Sequence, residues 1–130
     1  MIDSILYSET EGVVRVTLSG SFSVDDFGQA MGEVVHIRQT VGPTHAIWDV
    51  TALDFSRIDL HVLRQTSQVR AAFTPRRVQE RVAVIASGEI ESSLMKLFLD
   101  LSEDPGTCQR VFTARAEAES WCLTGTDAPA

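Results

Sequence analysis

Two short apolar runs place the strongest constraint on how this chain folds. Residues 44–50 read THAIWDV and residues 81–87 read RVAVIAS. A continuous apolar run of this length is typical of a strand buried on both faces, as in a parallel sheet covered by helices. A segment with helical periodicity follows each run. Because strands that alternate with helices pair in parallel through right-handed crossovers, the two runs predict an α/β fold.

The other segments complete the order ββαβαβαβα. Residues 4–22 alternate apolar and polar positions around a turn at Thr10-Glu11-Gly12, which predicts an N-terminal antiparallel hairpin. We expect a mixed, mostly parallel sheet with helices packed on it, forming a single domain over residues 1–123, and a flexible tail over residues 124–130. The inward helix faces are predicted to carry Val24, Phe27, Met31, Val34 and Val41; Ile58, Val62, Leu63, Thr66, Val69 and Phe73; Ile90, Leu94, Leu97, Phe98 and Leu101; and Ala114, Ala118, Trp121 and Cys122.

Composition and charge argue against several classes of partner. The chain has 18 acidic and 11 basic residues, for a net charge of −7. Such a surface repels phosphate backbones and anionic lipid, so neither nucleic acid nor a membrane surface is an expected partner. No apolar run approaches the length of a membrane span. Cys108 and Cys122 are expected to be small core residues in a reducing compartment, and the N-terminus has no basic segment typical of a signal peptide. The predicted location is cytoplasmic.

No motif for phosphate binding, metal-dependent hydrolysis or acyl transfer occurs in the sequence. The three histidines, His36, His45 and His61, are far apart and have no partner at ligand spacing. Pairs of carboxylates lie near the starts of the predicted helices, where negative charge meets the positive end of the helix dipole. We therefore expect no catalytic residues, no metal and no cofactor, and we predict that the protein is not an enzyme.

A hydroxyl residue stands near the start of every predicted helix. In "SRID", Ser56 is predicted to be the N-cap residue with Asp59 at N3, and in "SVDD" Ser23 has the same role. Ser87 and Thr113 stand just before the last two helices. The pattern explains Ser56 as one of four helix caps.

Two longer stretches resemble a known family. "AIWDVTALDFSRIDLHVLR" (residues 46–64) and "RVAVIASGEIESSLMKLFLDLSEDPGTCQRVFTARAEAESWC" (residues 81–122) are similar to STAS-domain proteins, and more closely to the SpoIIAA-like group of small stand-alone bacterial proteins. The resemblance covers about residues 2 to 123. It rests on patterns of residue type, so it implies the STAS/SpoIIAA-like fold more specifically than any function.

The resemblance implies a non-enzymatic regulatory domain similar to anti-sigma-factor antagonists, which bind a protein kinase and are phosphorylated on a serine. The matching position here is about Arg57-Ile58, and "DFSRIDL" has neither the Asp-Ser pair nor the glycine of the family motif. The resemblance therefore implies a partner surface at this connection more strongly than it implies a phosphorylation switch. The predicted surface residues are Asp54, Ser56, Arg57 and Asp59.

The same group is similar in architecture to the lipid-binding CRAL-TRIO fold, which implies an alternative function as a carrier of a small apolar or lipid-like ligand. Such a carrier is expected to contain a cavity of a few hundred cubic ångströms. The candidate lining residues are Phe27, Met31, Met95 and Phe98, which are also explained as ordinary core residues. A homodimer formed through a sheet edge is a further expectation.

Overall fold

The predicted order of strands and helices is confirmed by the computed structural model, which describes residues 1–72, 80–101 and 107–125. The predicted tail beyond Gly125 lies outside the described residues, and Thr124 is the last residue of a helix. The elements are β1 (Ile2–Ser8), β2 (Val13–Ser21), α1 (Val24–Val41), β3 (His45–Asp54), α2 (Leu60–Ala72), β4 (Glu80–Ile85), α3 (Glu89–Leu101), β5 (Thr107–Phe112) and α4 (Arg115–Thr124).

The five strands form one sheet in the order β1-β2-β3-β4-β5. β1 is antiparallel to β2, and the other neighbours are parallel. Because the spatial order equals the chain order, right-handed crossovers place α1, α2 and α3 on the same face of the sheet. α4 follows the last strand and packs against β3, β4 and β5 from the opposite face.

Both faces of the central strands are buried, which explains their continuous apolar runs. On β3, Trp48 joins the core beneath α1, α2 and α3, whereas its neighbour Ile47 joins the core beneath α4. Val84 and Ile85 divide in the same way on β4. The sheet therefore separates two apolar cores and contributes side chains to both.

The predicted cap of α1 is confirmed, but the predicted cap of α2 is wrong. The Ser23 hydroxyl oxygen accepts the backbone N–H of Asp26 at 3.2 Å. α2 begins at Leu60, and the cap residue is Asp59, whose carboxylate accepts the N–H of Val62 at 2.9 Å. Ser56 lies one turn earlier, within a turn closed by the N–H of Ile58 and the carbonyl of Phe55 at 3.0 Å.

The last two helices also lack a serine or threonine cap. The N-cap residue of α4 is Ala114, with no capping side-chain hydrogen bond, so Thr113 precedes the cap. α3 begins at Glu89 after Gly88, which has φ +80°. The Ser87 hydroxyl donates instead to the carbonyl of Thr51 at 3.5 Å. Only the first of the four hydroxyl residues therefore caps its helix through its side chain.

Several residues predicted to face inward are exposed. The clearest case is α3, which buries Ser92, Met95 and Phe98 and leaves a predicted inward stripe largely at the surface. Cys122 is buried as predicted, whereas Cys108 is exposed. Phe73 lies outside the described residues. The exposed members of the predicted inward sets are Val41, Ile90, Leu97, Leu101 and Ala114.

Within the described ranges, none of the helices has the length and hydropathy needed to cross a bilayer.

Candidate functional site

The four residues proposed for an apolar cleft lie around one interior cavity. Phe27 and Met31 reach it from α1, and Met95 and Phe98 reach it from α3. The rings of Phe27 and Phe98 meet edge to face, with their centroids 5.8 Å apart. Trp48, on the sheet beneath, lies with its ring centroid 5.6 Å from that of Phe27. The amphipathic faces of two helices therefore bring the four residues together over the sheet.

The cavity is small. Its volume is about 70 Å³. Pockets for organic ligands usually measure about 300–1,000 Å³. The cavity of a few hundred cubic ångströms expected for a lipid carrier is therefore not open in this conformation.

Two arginines give the cavity a polar side that the sequence pattern did not predict. Arg38 and Arg70 both line it, and Arg70 is only 6% exposed. The guanidinium carbon of Arg70 lies 6.0 Å from the centroid of the Phe98 ring. The sequence contains one signal for the burial of Arg70. It lies seven residues after Leu63 and four after Thr66, and residues at these spacings share one helix face.

A buried ion pair holds Arg38 in place. Its Nε lies 3.2 Å from the carboxylate of Glu80, and its guanidinium donates to the carbonyl of Thr44. The same carboxylate accepts the backbone N–H of Thr44 at 2.8 Å. These bonds join the end of α1 to the starts of β3 and β4, so they stabilise the crossovers at that end of the sheet.

A second concave region, here named the sheet-end groove, lies at the carboxyl ends of β3 and β4. It is open to solvent, with a volume of about 610 Å³. In open α/β sheets this end commonly binds ligands, because the connections that leave the strands converge there. The groove is lined by Leu53, Asp54, Phe55, Ser56, Ser87, Gly88, Ile90, Glu91 and Leu94.

The predicted surface residues are all exposed, but they divide between the groove and its surroundings. Asp54 and Ser56 line the groove, whereas Arg57 and Asp59 lie outside its lining on the way to α2. The N–H of Ser56 donates to the Asp54 carboxylate at 2.9 Å. This backbone hydrogen bond, followed by the Ser56 side chain and the charge of Arg57, lowers the pKa of Asp54. Asp54 is therefore a negative charge at neutral pH.

Large apolar side chains are exposed on the rim of the groove and at the start of α2. Ile90, on its rim, is 72% exposed, and Leu60, at the start of α2, is 48% exposed. Ile90 and Leu94 also begin a line of apolar side chains along the outer face of α3. We name this line the α3 stripe; it consists of Ile90, Leu94, Leu97 and Leu101.

Across the described ranges, no group of three or more His, Cys, Asp or Glu side chains is arranged to hold a metal ion. The histidines do not meet: His36 and His61 are exposed on different helices, and His45 is half-buried at the start of β3.

The arrangement of strands and helices matches a solved structure. The crystal structure of an uncharacterised protein of the DUF3478 family, with a SpoIIAA-like fold, from Shewanella loihica PV-4 aligns with a TM-score of 0.64 and 19% sequence identity. The alignment covers 94% of this chain and 92% of that protein. The chain has a SpoIIAA-like fold. No protein-family model matches the sequence, and no curated protein matches it.

The connection from β3 to α2 is where the sequence resemblance predicts a partner surface. Arg57 and Ile58 occupy the matching positions in the turn before α2, and neither carries a hydroxyl. Ser56 is the nearest hydroxyl, and its side chain is exposed beside Asp54. The site therefore combines an exposed connection with a partly apolar groove.

Proposed function

We propose that this protein is a non-enzymatic, cytoplasmic binding domain that recognises a protein partner through the sheet-end groove and the neighbouring connection to α2. The observation that carries the proposal is the exposure of Ile90 on the rim of a concave surface. Ile90 begins the α3 stripe, and a continuous exposed apolar surface beside a groove is typical of a protein contact surface, because an aliphatic anchor contributes most when a partner covers it.

The local hydrogen bonds support this role because they hold the surface rigid. Asp54 holds the N–H of Ser56, and Asp49 holds both the N–H and the hydroxyl of Thr51 at 3.0 and 2.7 Å. A connection that is already ordered loses less conformational entropy when a partner binds.

Site-directed crosslinking tests the proposal. A photo-crosslinking side chain at position 56 is expected to capture a discrete partner, whereas the same group at position 33, exposed on α1, is not. The captured protein, once purified, is expected to bind wild type and Leu6→Ser alike, and Ile90→Ser about tenfold more weakly, which is usual for loss of a central apolar contact. Equal affinity for Ile90→Ser and wild type would rule the surface out. A changed affinity for Ser56→Asp would indicate regulation at Ser56.

The interior cavity favours a second candidate function, a carrier of a small apolar ligand with a polar head. Its lining is apolar apart from Arg38, Arg70 and Thr66, so it offers an apolar environment with a polar side. The helices would have to move apart to admit such a ligand. Native mass spectrometry of the purified protein, before and after denaturation, tests this candidate. A released lipid supports it, and an empty protein that also fails to bind a fluorescent fatty acid argues against it.

A symmetric dimer through β1, an edge strand of the sheet, stays a prediction. Sedimentation at micromolar concentration distinguishes it from a 14.3 kDa monomer.

A further inference from the structure

We infer that the partner segment recognised at this surface is a basic amphipathic helix, which packs its apolar face along the α3 stripe and brings its cationic side chains to the acidic sheet end. The inference rests on the proposed function and adds the chemical class of the partner. It follows from the geometry of the stripe and from the charge around it.

The α3 stripe has the spacing of a helix–helix contact. Its members are separated by four, three and four residues, which places them along one side of the helix. At a rise of about 1.5 Å per residue, the stripe is about 16 Å long. Leu97 is 40% exposed and Leu101 is 41% exposed. A partner helix of about three turns would cover them.

Three members of the stripe, Ile90, Leu97 and Leu101, are exposed, whereas Leu94 also packs against the core beneath α3. Ser92, Met95 and Phe98 form the buried face, on a different side of the helix. Leu94, half-buried, lines the groove and also belongs to the stripe. An apolar surface therefore continues from the floor of the groove along the exposed side of α3.

The charge around the end of this surface that meets the sheet-end groove favours a cationic partner. Residues 53–60 and 87–94 contain four carboxylates and one cation, Arg57, so these two segments carry a net charge of −3. Complementary charge steers association and excludes partners of like charge. A helix with Lys or Arg beside its apolar face would cover the α3 stripe and complement the negative charge of these two segments. The four carboxylates belong to Asp54, Asp59, Glu89 and Glu91.

The same charges disfavour a second copy of this chain as the occupant. In a parallel pairing of two α3 helices, Glu89 and Glu91 of each copy would meet those of the other. In an antiparallel pairing they would meet Asp100. Both arrangements place like charges together across an apolar contact, and Lys96 is the single cation of α3. An anionic bilayer is repelled for the same reason.

Fluorescence anisotropy with designed peptides tests the inference on the full chain. The probe is a labelled helical peptide of about four turns, with Leu along one face and Lys on the flanks; a matched peptide has Glu in place of every Lys. The basic peptide is expected to bind wild type, and the acidic peptide is not. Binding is expected to weaken as salt rises from about 50 to about 500 mM, because salt screens exposed charges.

Two variants and two matched controls locate the contact. Ile90→Ser and Glu89→Lys are each expected to raise the Kd of the basic peptide, Ile90→Ser by about tenfold. Leu6→Ser removes an apolar side chain that is 64% exposed on β1, and Glu33→Lys reverses an exposed charge on α1, so both are expected to leave the Kd unchanged. All four positions are exposed or at the domain surface, and far-UV circular dichroism verifies that each variant is folded.

Three results would overturn the inference. One is equal affinity for the acidic and basic peptides, and another is equal weakening by Glu33→Lys and Glu89→Lys. The third is absence of peptide binding together with Ile90-dependent binding to anionic vesicles. If no peptide binds but a partner crosslinked at position 56 still requires Ile90, the helix inference is wrong and the proposed function stands. If neither peptide nor partner requires Ile90, both fail.

Discussion

At the scale of single residues, carboxylates hold the backbone of β3 and of the connection that leads from it to α2. Asp49, Asp54 and Asp59 each accept a backbone N–H two or three residues further along the chain, at 2.9 to 3.0 Å. Short acidic side chains reach these positions because their oxygens lie close to their own backbone. The shape of the connection between β3 and α2 therefore depends on its aspartates.

The cap of α2 provides a prediction at this scale. Asp59→Ala is expected to reduce the free energy of unfolding by about 1 kcal/mol, because the N–H of Val62 loses its acceptor. Ser56→Ala is expected to change it by less than about 0.5 kcal/mol, as usual for an exposed position. Urea unfolding followed by circular dichroism measures both values. A larger loss of unfolding free energy in Ser56→Ala than in Asp59→Ala would indicate that Ser56, and not Asp59, caps α2.

At the scale of secondary-structure elements, α1 and α2 approach each other closely beside Gly28. A Cβ atom built on Gly28 would lie 3.5 Å from the Cγ1 of Val69, which is an ordinary van der Waals distance. Gly28 is therefore not required by lack of space. Its neighbour in this contact is α2, so the residue borders the helix layer and not the sheet.

A stabilising substitution follows for α1. Gly28→Ala is expected to raise the free energy of unfolding by about 0.5 to 1 kcal/mol, because alanine loses less backbone entropy in a helix. Gly12→Ala is the opposite control: Gly12 has φ +66° in the hairpin turn, so alanine there is expected to cost about 1 kcal/mol. Thermal unfolding compares the two. Destabilisation by Gly28→Ala would show that Val69 cannot accommodate the added methyl group.

At the scale of the whole molecule, α4 is the one helix of the described residues that covers the second face of the sheet, and it is attached by polar as well as apolar contacts. Arg15 of β2 donates to the Glu119 carboxylate at 2.6 and 3.0 Å. Arg81 of β4 donates from Nε to the carbonyl of Cys122 at 2.9 Å, and its backbone N–H donates to Nδ1 of His45 at 2.9 Å. His45 therefore links the starts of two strands beside the residue that holds α4.

This link predicts a pH-dependent stability. Burial first, then the charges of Arg81 and Arg38, lower the pKa of His45 below its ordinary value of 6.5, and the charge of Glu80 opposes them. A histidine with a lowered pKa resists protonation when folded, whereas the unfolded chain takes up the proton near pH 6.5. The free energy of unfolding is therefore expected to fall as the pH drops from about 7 through this value.

Urea unfolding across this pH range measures the effect. His45→Gln retains an acceptor but does not titrate, so its stability is expected to change less with pH over this interval. His61→Gln, at an exposed position on α2, is expected to keep the wild-type dependence. If the free energies of unfolding of wild type and His45→Gln change with pH in parallel, His45 is not the source of the pH dependence.

The candidate sites were predictable in part. The helical spacing of Phe27 and Met31 places both on one inward face, whereas Met95 was absent from the predicted inward stripe of its helix and entered the candidate cleft through the family resemblance. Asp54 and Ser56 were likewise predicted for a partner surface through the resemblance. Arg70 was not predicted, because an arginine on an amphipathic helix is usually exposed. The volume of the cavity also could not be predicted, since it depends on how side chains from separate helices pack together.

The sequence by itself determined the order of the elements, the parallel pairing and the two-sided burial of β3 and β4, because strand and helix periods depend on local spacing along the chain. Tertiary structure decided which side of α3 meets the sheet. That helix carries apolar side chains over more than one side, and spacing alone does not tell which of them finds a neighbour. The neighbours of α3 bury Met95 and Phe98 and leave Ile90, Leu97 and Leu101 exposed, because they lie against only one side of the helix.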